Sequence, residues 1–168
     1  MNPRLAIRIV VVIAGAFLLA RTGMAQEKSV DWKTLEGAKV SLEKGLAAAE
    51  QKGKPISAKF EVEDGKLQLS VYTASQGKFW EVIVDHTSGK VSKTEEIKEG
   101  EDLSAAKAQS DALAKAKKSL RAATEKAVAA NAGSRAVSVF PSVDSGHPVA
   151  KVTLTSATGN KTVTASLD

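Results

Sequence analysis

Between Asp31 and Gly53 the apolar side chains recur every three or four residues. Leu35, Ala38, Leu42, Leu46 and Ala49 fall on one stripe, which predicts an amphipathic helix. Asp31 stands where a helix cap is wanted, and Gly53 followed by Pro55 ends the run. The period then changes to two. Phe60 and Val62 share a face, as do Leu67, Leu69 and Val71, and then Trp80, Val82 and Val84. Such alternation turns one side of each strand towards a core. "DGK" at Asp64–Lys66 and "SQGK" at Ser75–Lys78 are tight-turn signals. Three short strands with tight turns predict an antiparallel meander, with the helix stripe as the partner of its apolar face.

The same order of patterns then comes again. An acidic stretch, "KTEEIKEGED", is expected to be a joint. Leu103, Ala106, Leu113, Ala116, Leu120, Ala123 and Ala127 keep helical spacing up to Gly133. One helix of about 30 residues would be about 45 Å long, too long for so small a sheet. The segment is therefore either one helix or two, with the break near Lys118 or Ser119. "RAVSVF", "PVAKVTLTS" and "KTVTASLD" read as strands, joined by "DSGH" and "ATGN". A displacement of 83 residues lays Phe60 on Val143, Leu69 on Val152, Trp80 on Val163 and Asp85 on Asp168. The expected fold is α+β, with two tandem units at residues 26–97 and 98–168. Each unit is an amphipathic helix packed on a three- to four-stranded antiparallel β-meander.

Residues 1–25 stay outside that fold. Arg4 and Arg8 precede the apolar run Ile9–Ala20, and the small residues Gly23 and Ala25 flank Met24. This is the pattern of a secretory signal peptide, with cleavage expected before Gln26. The other reading is an uncleaved anchor, but a run of about twelve apolar residues falls short of the roughly 20 that span a bilayer. A periplasmic or secreted location is expected, with no transmembrane segment in the mature chain. The 168 residues carry a net charge of +5 and no cysteine. Removing Arg4, Arg8 and Arg21, with no acidic residue, lowers +5 to +2 over the remaining 143 residues. So little charge is not the basic footprint of a nucleic-acid binder.

"WEVIVDHTSGKV", Trp80–Val91, holds one of the two histidines beside Asp85 and Thr87. It is either the corner of an active site or a turn. The turn reading gives Asp85, Thr87 and Gly89 backbone roles. Asp85 accepts from N–H groups two or three residues on, Thr87 or Ser88 does so more weakly, and Gly89 takes a positive φ. His147 lies in a different turn, "DSGHP". There is no HxxxH or HExxH spacing and no cysteine, so neither a metal nor another cofactor is expected. No G-x-S-x-G elbow and no phosphate-cradling glycine loop occurs. The pairs Glu61 with Glu63 and Glu95 with Glu96 are expected on solvated surface. No enzymatic activity is expected.

The helix, the alternating strands and the closing motif together resemble the PepSY domain, whose third strand ends in "YEVxVDxxTGxV". The likeness covers about residues 32–95, and Glu81, Val82, Val84, Asp85, Gly89 and Val91 carry it. The second half resembles the family in outline only. PepSY domains occur in the propeptides of thermolysin-type metalloproteases and in exported bacterial proteins. The resemblance implies a non-catalytic module that binds a protein or peptide partner, with protease inhibition as the implied activity.

Two surface features bear on the partner. Alternation puts Tyr72, Phe79 and Ile83 on the sheet face away from the helix, where polar residues are normal. They form a candidate binding patch, either for another protein or for the second unit. Lys107, Lys115, Lys117, Lys118, Arg121 and Lys126 give the second helical segment a basic face. That face suggests an alternative role, a structural or stress-related envelope protein touching lipid or cell wall.

Overall fold

A computed structural model describes residues 30–168; the expected signal peptide and its cleavage site lie outside the described residues. The predicted first helix is two helices. α1 spans Trp32–Leu35 and α2 spans Leu42–Ala49, followed by a 3-10 turn at Glu50–Lys52. Asp31 caps α1, its carboxylate accepting from Thr34 N–H at 2.8 Å. Ser41 caps α2, accepting from Lys44 N–H. The break between them is pinned from outside, because the N–H groups of Lys39 and Val40 both donate to the carbonyl of His86 at 2.9 Å. The predicted stripe survives the break, since Leu35, Leu42, Leu46 and Ala49 are fully buried and Ala38 nearly so. Each leucine contributes about 1.5–3 kcal/mol by leaving water.

The strands are β1 Lys54–Glu63, β2 Lys66–Ser75, β3 Lys78–Val84, β4 Val91–Ile97, β5 Arg135–Asp144, β6 His147–Ser156 and β7 Gly159–Ser166. They form one antiparallel sheet in the order β4-β3-β2-β1-β5-β6-β7. The first half of the stretch expected to be an acidic joint belongs to β4 and its end opens α3; β4 is paired with β3 from Phe79↔Ile97 to Val84↔Val91. The meanders meet at β1 and β5, through Ala58↔Val139 and Lys59↔Ser138. A single core joins both halves.

α3, Gly100–Ala112, and α4, Leu120–Ala129, replace the long second helix. Ser119 caps α4 through Ala122 N–H, the site where a break was expected. α2 and α4 lie side by side on one face of the sheet. Gly45 lets α2 approach closely, since a Cβ there would come within 2.5 Å of Leu69 Cδ2. α3 crosses the opposite face, where Ser57 Oγ donates to Gln109 Oε1 at 2.6 Å. Ser57 pairs with Tyr72 on that outer side.

The displacement between corresponding strands is 81 residues, not 83. Lys54↔Ala74 corresponds to Arg135↔Thr155, and Ser57↔Tyr72 to Ser138↔Thr153, with a register shift at the same place in both hairpins. Ahead of the strands the displacement is 78: Lys117 and Lys118 donate to the carbonyl of Leu167 as Lys39 and Val40 do to that of His86. The overlay at 83 slipped the strands by two residues, which alternation does not detect because it leaves every side chain on its own face. Three extra residues between the start of α4 and β5 separate the displacement of 78 from that of 81.

Candidate functional site

The pairs Ser70↔Ile83, Tyr72↔Glu81 and Ala74↔Phe79 place these side chains on the outer face, away from α2. Tyr72, Phe79 and Ile83 therefore share a face, as their alternation predicts. Their exposure is unequal. Phe79 is buried at 9 % relative exposure, beside Ile97 of β4, while Tyr72 and Ile83 are half-buried. α3 lies on this face against β1, β2 and β5, so one of the chain's own helices occupies part of the patch.

A polar network runs through the same face. Tyr72 Oη donates to Glu81 Oε1 at 3.1 Å. Ser70 Oγ donates to Glu61 Oε1 at 2.7 Å, and Lys59 Nζ lies 2.8 Å from Glu61 Oε2. Burial raises the Glu81 carboxyl above the usual carboxylate value, the Tyr72 hydrogen bond opposes this, and the Glu61 charge adds to it. Burial, and then the Glu81 charge, push the Tyr72 phenol far up, so it stays neutral and can donate. Glu61 was expected on a solvated face, but it is tied to Ser70 and Lys59. The role of Glu81 could have been found only once the register placed it opposite Tyr72.

At Asp85–Lys90 the Asp85 carboxylate accepts from Thr87 N–H at 3.1 Å and Ser88 N–H at 2.6 Å. The Ser88 bond is the main reason its carboxyl sits below the usual value. Gly89 has φ 77°, and its N–H donates to Asp85 O at 2.8 Å. His86 was the one turn residue given no backbone role, yet its carbonyl anchors the chain entering α2. His147 opens β6, and its Nδ1 lies 3.0 Å from Asp168 Oδ2. The histidines are not brought together. Among the described residues no group of three or more His, Asp or Glu is placed to hold a metal ion.

Trp80 was expected in the core with Val82 and Val84. The valines are buried, but Trp80 is only half-buried. It lines an open hollow of about 270 Å³ with Gln51, Lys52, Ser75, Gln76, Lys78 and Thr94. α2 has ended by this point, and Gln51 and Lys52 of the 3-10 turn flank the ring in its place. Lys78 Nζ sits 5.9 Å from the ring centroid and 3.3 Å from Glu96.

The basic face is not one surface. Lys107 is on α3, Lys115, Lys117 and Lys118 are in the turn, and Arg121 and Lys126 are on α4 across the sheet. Arg121 is paired with Glu50 at 3.1 Å and Glu125 at 3.3 Å. Lys118 Nζ donates to Asp168 O. Splitting the helix separates the charges that were expected to act together. Among the described residues no helix is long and apolar enough to cross a membrane.

Residues 39–95 match the PepSY family model, described as "Peptidase propeptide and YPEB domain". No curated protein matches the chain. Among solved structures, a candidate lipoprotein from Clostridium difficile 630 is similar at 14% identity and a TM-score of 0.43, covering 80% of this chain and 91% of that one.

Proposed function

We infer from the PepSY domain at residues 39–95 that this chain is an exported, non-catalytic module that binds a protein or peptide, and that the partner is a peptidase which it inhibits. The family match carries this reading, because its description names peptidase propeptides. The signal-like amino terminus supports export. We assign the contact to the open part of the outer face. There the half-buried Tyr72 and Ile83 present apolar surface beside the charged Glu81, Lys93 and Glu95, an apolar centre with a polar rim. Phe79 flanks the patch on the same face, buried beside Ile97.

The parallel between the halves supports a second unit of the same kind at residues 98–168. The two share a serine-capped helix, a paired N–H anchor on the third strand's end and the same bulge.

The test is titration of the purified protein against a thermolysin-type metallopeptidase, reading residual activity and binding by calorimetry. Saturable inhibition is expected. Ile83→Thr with Tyr72→Ser should weaken it at least about tenfold, the scale of a lost interface anchor, with the fold kept by circular dichroism. Cleavage of the protein as an ordinary substrate, without inhibition, contradicts the inhibitor reading.

A further inference from the structure

The two edge strands of the sheet differ in kind. β4 carries Lys93, Glu95 and Glu96 within seven residues, and charges on an edge discourage further pairing. β7 has Lys161 as its one charge and the β-branched run Thr162, Val163, Thr164 at its centre. Among the described residues its strand neighbour is β6 alone. The corresponding strand of the first half, β3, is covered by β4. Beyond Asn160, whose Nδ2 donates to the carbonyl of Val30 at 3.1 Å, β7 thus presents among the described residues an edge of high β-propensity and low charge, the kind that templates another strand.

We propose that β7 pairs with β7 of a second copy, antiparallel about a two-fold axis through Val163, so that two seven-stranded sheets become one. A two-fold axis perpendicular to the sheet keeps each residue on its own face, so it passes through a residue. Centred on Val163, it sets Val163 against the partner's Val163, Thr162 against the partner's Thr164, and Lys161 against the partner's Ala165. Thr–Thr and apolar β-branched pairs are favourable cross-strand neighbours, and no like charges oppose. An axis through Thr164 would lose the Val–Val pair. This fit of the strand to itself selects a second copy as the occupant, in the isologous arrangement usual for dimers.

Sedimentation of the exported chain over a wide concentration range should show a monomer–dimer equilibrium. Thr162 and Thr164 are exposed, so substitutions there should leave the fold intact by circular dichroism. Thr162→Lys with Thr164→Lys sets lysine against lysine and should raise the dimer dissociation constant at least about tenfold. Thr162→Glu with Thr164→Lys sets opposite charges together and should restore the dimer. The chain has no cysteine, so Val163→Cys gives an unambiguous cross-link. Facing residues of an antiparallel pair lie about 4.5–5.5 Å apart at Cα, within disulfide reach. A wild type that stays monomeric overturns the proposal, whether the edge is solvated or held by the chain's own amino-terminal segment. A dimer untouched by the double lysine variant, a Glu–Lys variant that stays monomeric, or a Val163→Cys dimer that fails to cross-link overturns it equally.

Discussion

Glu81 shows how one residue's environment sets a measurable property. Its carboxyl is raised by burial, so the folded state favours the protonated form more than the unfolded chain does. Its contribution to stability is therefore greatest at low pH and is lost as pH rises through the unfolded and then the folded pKa. Glu81→Gln, which can still accept from Tyr72, should raise the melting temperature at pH 7. That advantage should vanish below about pH 4, where the unfolded carboxyl is also protonated. Paired thermal melts at the two pH values check it; an unchanged melting temperature at pH 7 means the carboxylate is adequately solvated. The turn at Asp85–Lys90 separates backbone from side-chain roles. His86 acts through its carbonyl, so His86→Ala should shift stability by less than about 0.5 kcal/mol. Gly89→Val should cost about 1–2 kcal/mol, because a β-branched residue resists φ 77°; a Cβ there would lie in ordinary contact with Val40 Cγ2 at 3.5 Å, so the cost comes from the backbone angle. Urea unfolding of both variants gives the comparison. Gly89 and Asp85 were legible in the sequence because turn chemistry is local. The carbonyl of His86 was not, because its donors lie far back along the chain.

At the scale of elements, Arg135 joins pieces that the sequence keeps far apart. From β5, its Nη1 donates to Leu35 O at 2.9 Å, and its Nη2 donates to Ala38 O at 2.9 Å and Val40 O at 3.4 Å. It thereby adds a second donor to Leu35 O, which already accepts from Ala38 N–H at 2.9 Å, and ties down two carbonyls of the loop between α1 and α2. Arg135→Met keeps much of the stem and removes the donors. It should cost about 2–3 kcal/mol, as for hydrogen bonds from a charged group, and hydrogen exchange at Lys39 and Val40 should accelerate. Equal exchange in both proteins means that the anchor at His86 holds the segment alone. The helix breaks were only partly readable. Ser119 declares itself as a cap at a plausible distance. Ser41 sits inside an apolar stripe that continues through it, and the break there is enforced by bonds to a strand end.

For the whole molecule, the junction of β1 with β5 decides how it unfolds. The halves share one sheet and one core, and α3 of the second half reaches back onto β1 and β2. Residues 26–97 and 98–168 made separately should not fold cooperatively, while the joined chain should show a single transition with equal van't Hoff and calorimetric enthalpies. Two resolved calorimetric transitions in the joined chain contradict that coupling. The outer-face patch follows the same logic: Phe79 is a support for the sheet rather than free surface, since it is buried. Phe79→Ser alone should therefore lower the melting temperature.

What depends on neighbours along the chain is legible in the residue pattern alone. That includes the α+β class, the alternating faces of the strands, the tight turns, the buried stripe of Leu35, Leu42 and Leu46, and the PepSY motif at its closing turn. These follow from side-chain periodicity and turn stereochemistry, which operate over a few residues. Tertiary structure alone decided the joining of the meanders at β1 and β5, the passage of α3 to the far face and the exposure of Trp80. It also set the 81-residue displacement at which the registers of the two hairpins match. Each depends on which backbone edges and apolar faces meet across long stretches of chain, and hydrophobic burial, being non-directional, does not encode that choice in any local pattern.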